Sequence, residues 1–190
     1  MNLEEEFNRI KENHKNAIQT KVARIVVGPS VGRVFQEGTV YKIRPVLKQI
    51  KLKVLNSITS QEQYRKWFEN QLNKLAAKIK ETNPKNDKIY PGYKWGHSTK
   101  ILCLFLNDVL IHRDFFDAKT SDYLIHFLYA PIDSFVMKRL NYLGIKLDFS
   151  KIKEIDTPKK FYNTQEELKR AADKVGVPRI WFDDNWGDRQ

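Results

Sequence analysis

Apolar positions in the first part of the chain recur every three or four residues. Leu3, Phe7, Ile10, Ala17, Ile18, Val22, Ile25 and Val26, with His14 in register, share one face of a helix predicted over 3–27. Gly28-Pro29-Ser30 ends that pattern. The stretch 31–45 holds Gly32, Gly38 and Pro45 and predicts a loop with room for a short hairpin. Ser60 opens the next helix, with Gln63 three places on in the capping-box arrangement. Tyr64, Trp67, Phe68, Leu72, Leu75, Ala76 and Ile79 follow on one face, and Asn83-Pro84 stops them. Polar residues with Pro and Gly predict a loop over 84–97.

Ser98 stands where a cap belongs, ahead of Ile101, Leu102, Leu104, Phe105, Leu106 and Val109. That segment is apolar nearly all round, which predicts the central buried helix. A linker over 114–121 and an apolar run over 123–129 follow, and Ala130-Pro131 breaks the chain. Asp133 is the predicted N-cap of a helix carrying Phe135, Val136, Leu140 and Leu143, with Gly144 as its terminator. The last helix is predicted from Thr164, with Glu167 completing a capping box, through Leu168, Ala171, Ala172 and Val175 to Gly176. Trp181, Phe182 and Trp186 are expected to pack back on the body. No repeat, low-complexity tract or interdomain linker interrupts the chain. The pattern predicts an all-α fold, a single-domain helical bundle over residues 1–190.

Composition adds a direction. The chain has 190 residues, and its 41% hydrophobic and 12% aromatic content suffices for a core and argues against disorder. The 34 Lys and Arg against 23 Asp and Glu leave a net charge of +11. A surplus of that size favours a polyanionic partner, because neutralised phosphates release counterions. Nucleic acid is the first candidate partner, and a merely soluble basic surface is the alternative. The charge does not separate DNA from RNA. The lone Cys103, inside the run ILCLFL, reads as a buried small hydrophobe. It permits neither an internal disulfide nor a cysteine-ligated iron–sulfur cluster.

The charged N-terminal stretch lacks the apolar core of a signal peptide, and no window has the length of a membrane span. A cytoplasmic protein without membrane contact is expected. His14, His97, His112 and His126 are scattered without ligand spacing, and Asp183, Asp184 and Asp188 read as an acidic tail, so no metal and no cofactor are expected. Gly28 to Gly32 lacks the Lys-Ser/Thr of a phosphate loop, and no serine-hydrolase elbow occurs.

Asp133 carries the most chemistry. A carboxylate at an N-cap accepts from free backbone N–H groups and is favoured by the helix dipole, so it stays fixed and charged. Pro131 stiffens its approach, and Lys138 and Arg139 on the same helix can reach phosphate. A fixed anion of this kind suits stabilisation of an oxocarbenium-like deoxyribose during glycosidic bond cleavage. The plainer reading is a helix cap and nothing more.

Two stretches together, Trp95–Asn107 and Pro131–Ile145, resemble the helix-hairpin-helix glycosylase superfamily that includes endonuclease III. The resemblance lies in Gly96, Lys100 and Leu106-Asn107, then in Pro131-Ile132-Asp133-Ser134-Phe135-Val136, Arg139 and Leu143-Gly144-Ile145. Where the family has a compact Leu-Pro-Gly-x-Gly turn, this chain has Tyr90-Pro91-Gly92-Tyr93-Lys94-Trp95-Gly96, and the cluster cysteines of many members are absent. The resemblance implies a DNA base-excision glycosylase with associated AP-lyase activity, acting on double-stranded DNA and without an iron–sulfur cluster. It implies Lys100 as the Schiff-base lysine and Asp133 as the catalytic aspartate. A phosphate contact is the alternative role for Lys100.

Further candidates surround this pair. Lys94 and the backbone N–H groups of Gly96, His97, Ser98 and Thr99 are candidate DNA contacts at the helix start, with a plain loop position as the alternative for His97. Tyr93, Trp95 and Trp181 are candidates for a wedge or base pocket, and alternatively core anchors. Lys42, Arg44, Lys48, Lys51 and Lys53 form a run without an intervening acid, a candidate phosphate contact or a solvated face. Two rival functions stay open: a non-catalytic nucleic-acid-binding module on the same scaffold, and a phage- or defence-related adaptor whose basic face meets an acidic partner. The sequence carries no signal for the oligomeric state.

Overall fold

The computed structural model describes residues 2–82, 93–112 and 114–183. Among the described residues every regular element is helical and no strand occurs. No helix there is long and apolar enough to cross a membrane.

Helix α1 (Leu3–Val26) starts from a capping box, in which the Asn2 side chain accepts from Glu4 N–H and Glu5 accepts from Asn2 N–H. Glu4, Glu5 and Glu6 in its first turn suit the positive end of the helix dipole. Its buried residues are Gln19, Val22, Ala23 and Val26, all in the second half. Leu3, Phe7 and Ile10 stay exposed, so the predicted apolar face is used only where the helix meets the body.

The predicted loop over 31–45 is instead largely helical. A single turn, α2 (Pro29–Gly32), is followed by α3 (Thr39–Lys48), which buries Thr39, Ile43 and Leu47. Gly38 caps α3 with φ 84°, in the left-handed region glycine favours. Pro45 sits inside α3 because the carbonyl it leaves without a donor belongs to Tyr41, on an exposed face. A 3-10 turn, Leu52–Ser57, leads to α4 (Gln61–Thr82). Ser60 Oγ caps Gln63 N–H as expected, but the returning Gln63 Oε1 accepts from Thr59 N–H, one residue earlier than a standard box.

Helix α5 (Thr99–Ile111) is the central element, with Ile101, Leu102, Cys103, Phe105, Leu106, Val109 and Leu110 buried. Each large side chain removed from water there contributes about 1.5–3 kcal/mol. Ser98 does not cap it: a π-helical turn, Tyr93–Ser98, runs straight into α5, and Ser98 is itself helical. The expected linker over 114–121 contains the start of α6 (Ala118–Leu124), capped by Asp117 through Thr120 N–H at 2.7 Å. Helix α7 (Ser134–Tyr142) follows Asp133 and ends at Gly144, φ 78°.

Helix α8 (Pro158–Val175) begins almost two turns before the predicted start at Thr164. Thr157 caps it, Pro158 fills its first position where no N–H is needed, and Thr164 is buried in its interior, donating to Lys160 O. Gly176 terminates it with φ 71°. A 3-10 turn, Arg179–Asp183, packs against α8. Phe182 packs on a small cluster of Ala130, Val136, Leu140 and Leu168, whereas Trp181 is 49% exposed. Trp186 lies outside the described residues.

Candidate active site

Two helix starts supply the site. Lys100 is the second residue of α5, and Asp133 is the N-cap of α7. Asp133 Oδ1 accepts from Phe135 N–H at 2.9 Å and from Val136 N–H at 3.1 Å. Its other oxygen, Oδ2, accepts from Lys100 Nζ at 3.2 Å. The carboxylate thus has one oxygen tied to the helix and one turned to the amine. The Asp133 side chain is 11% exposed and that of Lys100 26%, so the pair is shielded but reachable from solvent. The two groups singled out in sequence, 33 positions apart, are an ion pair.

The π-helical turn fixes where Lys100 starts. Ser98 Oγ donates to Tyr93 O at 2.6 Å, and Thr99 Oγ1 donates to Gly96 O at 2.8 Å and also to Trp95 O. A Cβ on Gly96 would lie 2.1 Å from the Ile152 carbonyl oxygen, so only glycine lets this turn meet the 3-10 turn Ile152–Glu154. Gly96, His97, Ser98 and Thr99 are all buried. They pack the start of α5, which is a correction to their candidate role as a surface phosphate cradle. The Tyr90-Pro91-Gly92 part of the expected hairpin lies outside the described residues.

Trp95 is buried in an aromatic group, 6.1 Å from Phe161 and 5.7 Å from Tyr162 between ring centroids. It is therefore a core anchor and not a wedge, and half-buried Tyr93 packs against the same core. Lys94 Nζ lies 5.0 Å from the Trp95 ring centroid. Trp181 keeps exposed surface and stays available as a base contact. On α7, Lys138 is exposed, with its amine 5.8 Å from the Phe135 ring, and Arg139 donates to Phe182 O.

The basic run does not form one patch. Arg44 is half-buried and donates to Val27 O at 2.9 Å, so it holds α3 to the end of α1. Lys42 is exposed and lies within electrostatic reach of Glu81. Lys48, Lys51 and Lys53 line a hollow together with Lys15 and Glu12, and Lys53 Nζ is 2.9 Å from Glu12 Oε1.

Sequence reasoning missed the residues that carry the segment leading into Asp133. Residues 128–133 are buried and belong to no regular element, so their backbone polar groups need side-chain partners. Gln165, on α8, grips Ala130 at both ends: its Nε2 donates to Ala130 O at 2.8 Å and its Oε1 accepts from Ala130 N–H at 2.9 Å. Arg179 Nε donates to Leu128 O at 2.7 Å, and Nη2 donates to Phe127 O at 2.8 Å and Gln61 Oε1 at 3.0 Å. Burial pulls the Arg179 guanidinium below its ordinary range. A signal for Gln165 was present: Phe161, Gln165, Leu168 and Ala172 follow a four-three-four spacing, which sets an amide on the apolar face.

Comparison with known proteins adds no relative. No family model matches the chain, no curated protein matches it, and no solved structure matches its fold.

Proposed function

We propose that the protein is a DNA base-excision glycosylase with AP-lyase activity, acting on a base turned out of the duplex. One observation carries the reading: Lys100 Nζ lies 3.2 Å from an oxygen of Asp133 that no helix N–H occupies. An amine and a fixed carboxylate at that separation make a nucleophile and its proton acceptor. Lys100 Nζ passes a proton to Asp133 Oδ2, and the freed amine attacks C1′ of the extruded nucleotide. The C1′–N bond breaks as the C1′–Nζ bond forms. The base departs with the bonding electrons and takes the proton held on Asp133 Oδ2. Asp133, ionised again and still anchored through Oδ1, offsets the positive charge on the sugar–amine adduct. Opening of the sugar ring then gives an imine on Lys100, and β-elimination, with loss of a C2′ proton, breaks the C3′–O bond and releases the downstream strand with its 5′ phosphate. The net charge of +11 supports a nucleic-acid partner.

Borohydride reduction in the presence of an abasic duplex tests the reading. A covalent protein–DNA adduct that disappears in Lys100→Ala is expected. An adduct that survives Lys100→Ala, or no adduct from the wild type, refutes the nucleophile role. A panel of modified duplexes, scored for abasic-site formation by wild type and Asp133→Asn, tests base excision itself.

One observation favours a second reading, a nucleic-acid-binding module without chemistry. The backbone from Gly96 to Thr99 is packed inside, where it cannot grip a phosphate as a hairpin would. Salt-sensitive DNA affinity without excision or adduct on any duplex of the panel would select it.

A further inference from the structure

We propose that Gln165 is the positioning residue for Asp133, acting through Ala130 as a side-chain substitute for a neighbouring strand. The inference deepens the glycosylase reading and rests on it for its chemistry. It begins from the backbone of residues 128–133. This strap crosses the interior without helix or sheet, and Leu128, Tyr129, Ala130, Ile132 and Asp133 are all buried. A buried peptide without a ladder partner drifts unless something else holds its N–H and C=O. The Gln165 amide is fully buried and satisfies both groups of one residue, at 2.9 and 2.8 Å. That bidentate contact fixes the Ala130 peptide in direction as well as in place.

Only Pro131 and Ile132 separate Ala130 from Asp133, and the proline ring removes one backbone torsion from that link. The orientation set at Ala130 is therefore passed to the Asp133 backbone, which enters α7 extended at φ −132° and ψ −175°. Asp133 must meet two demands at once: Oδ1 reaches Phe135 and Val136 N–H, and Oδ2 faces Lys100. A capping residue with a loose approach meets both demands only part of the time, so the cap bonds and the aim at Lys100 weaken together. Arg179 holds the far end of the strap, at Leu128 and Phe127. Gln165 holds the near end, and the site depends on the near end.

The test uses the full chain. Gln165→Met keeps the length of the side chain and removes both bonds. Gln165→Glu keeps the acceptor for Ala130 N–H and regains the donor for Ala130 O only when its carboxyl is protonated. Three quantities are measured: the rate of borohydride cross-linking to an abasic duplex, the affinity for that duplex, and hydrogen exchange at the Phe135 and Val136 amides. Gln165→Met is expected to cross-link about 10- to 100-fold more slowly, with duplex affinity kept within about twofold. Exchange at Phe135 and Val136 should quicken relative to amides of α4. Gln165→Glu should recover towards the wild-type rate, compared at each pH, as the pH falls. A structural role alone would not produce that recovery at unchanged affinity.

Wild-type cross-linking by Gln165→Met overturns the proposal, as does unchanged exchange at the two capped amides. If Gln165→Met does not fold, Gln165→Glu decides: a ratio to wild type that stays flat with pH overturns it. If the wild type itself forms no adduct, the lyase reading falls. Exchange at Phe135 and Val136 then judges the positioning of Asp133 by itself, faster exchange upholding it and unchanged exchange overturning it.

Discussion

Lys100 Nζ and Asp133 Oδ2 are 3.2 Å apart although their residues begin different helices and sit 33 positions apart in the chain. The contact joins two polar groups that each have a local reason to be where they are. Lys100 follows a buried π-helical turn, and Asp133 caps α7. Local stability would be served by a cap alone. The second oxygen, facing an amine at a partly open position, is what the cap does not require.

The two roles of Asp133 separate on substitution. Asparagine caps helices about as well as aspartate, so Asp133→Asn should leave the thermal midpoint close to wild type. It removes the negative charge, and base excision should fall about 10²- to 10³-fold, as when a preorganised electrostatic group is lost. Asp133→Ala should lose the same activity and in addition about 1 kcal/mol of stability from the lost cap. Calorimetry and single-turnover excision on the same preparations check both. Activity retained in Asp133→Asn would reduce Asp133 to a cap.

Gly96→Ala tests how Lys100 is delivered. Its Cβ would meet the Ile152 carbonyl oxygen at 2.1 Å, and neither partner is a flexible side chain. The turn must move away from the 3-10 turn Ile152–Glu154, at a cost of about 3 kcal/mol. Lys100 lies four residues on and would move with it. Denaturant titration should show the loss, and cross-linking to abasic DNA should drop even in the fraction that folds. A stability equal to wild type would show that the two turns have freedom to part.

Most of the helices were legible because their apolar faces repeat at the helical period and their ends carry strong signals. Gly144 and Gly176 stand at the boundaries they predict, and Asn83-Pro84 lies outside the described residues. The misses have particular causes. Helix α3 was hidden by Gly32, Gly38 and Pro45, since a proline is tolerated when the carbonyl it orphans belongs to an exposed residue such as Tyr41. The start of α8 was masked by a capping box at Thr164, which competes in the pattern with the true cap at Thr157 followed by Pro158. Lys100 and Asp133 were legible through local motifs. Gln165 was legible only as an amide on an apolar face, and neither its partner nor those of Arg179 were, because they are backbone groups of a strap whose path no local pattern describes.

The basic residues make separable predictions. Lys15, Lys48 and Lys51 line one hollow and end in solvent, so their replacement by Gln should lower the salt slope of DNA binding by about 2–3. Arg44 donates to Val27 O from a half-buried position. Arg44→Gln should leave the slope unchanged and lower the melting temperature. Fluorescence titrations over a range of salt concentrations measure the first, and thermal scans the second. An unchanged slope in the triple variant would mean that the hollow faces away from the nucleic acid.

Asp108 gives the pH dependence a sign. It lies half-buried on α5, and burial pushes its carboxyl above the usual aspartate range, with the His112 charge acting in the opposite direction. The native state therefore holds this proton to a higher pH than the unfolded chain does. Stability from this group falls as the pH rises from the unfolded midpoint, about 3.9, through the native one, and the full penalty remains at neutral pH. Asp108→Asn keeps the shape and removes the charge, so it should melt higher than wild type at pH 7. The difference should close below the unfolded midpoint, where both side chains are neutral in both states. Parallel thermal melts at pH 3 and pH 7 distinguish this from a packing effect, which would give the same difference at both. An equal or lower melting temperature for the variant at pH 7 would show that the charged Asp108 is held by a favourable partner that outweighs its burial.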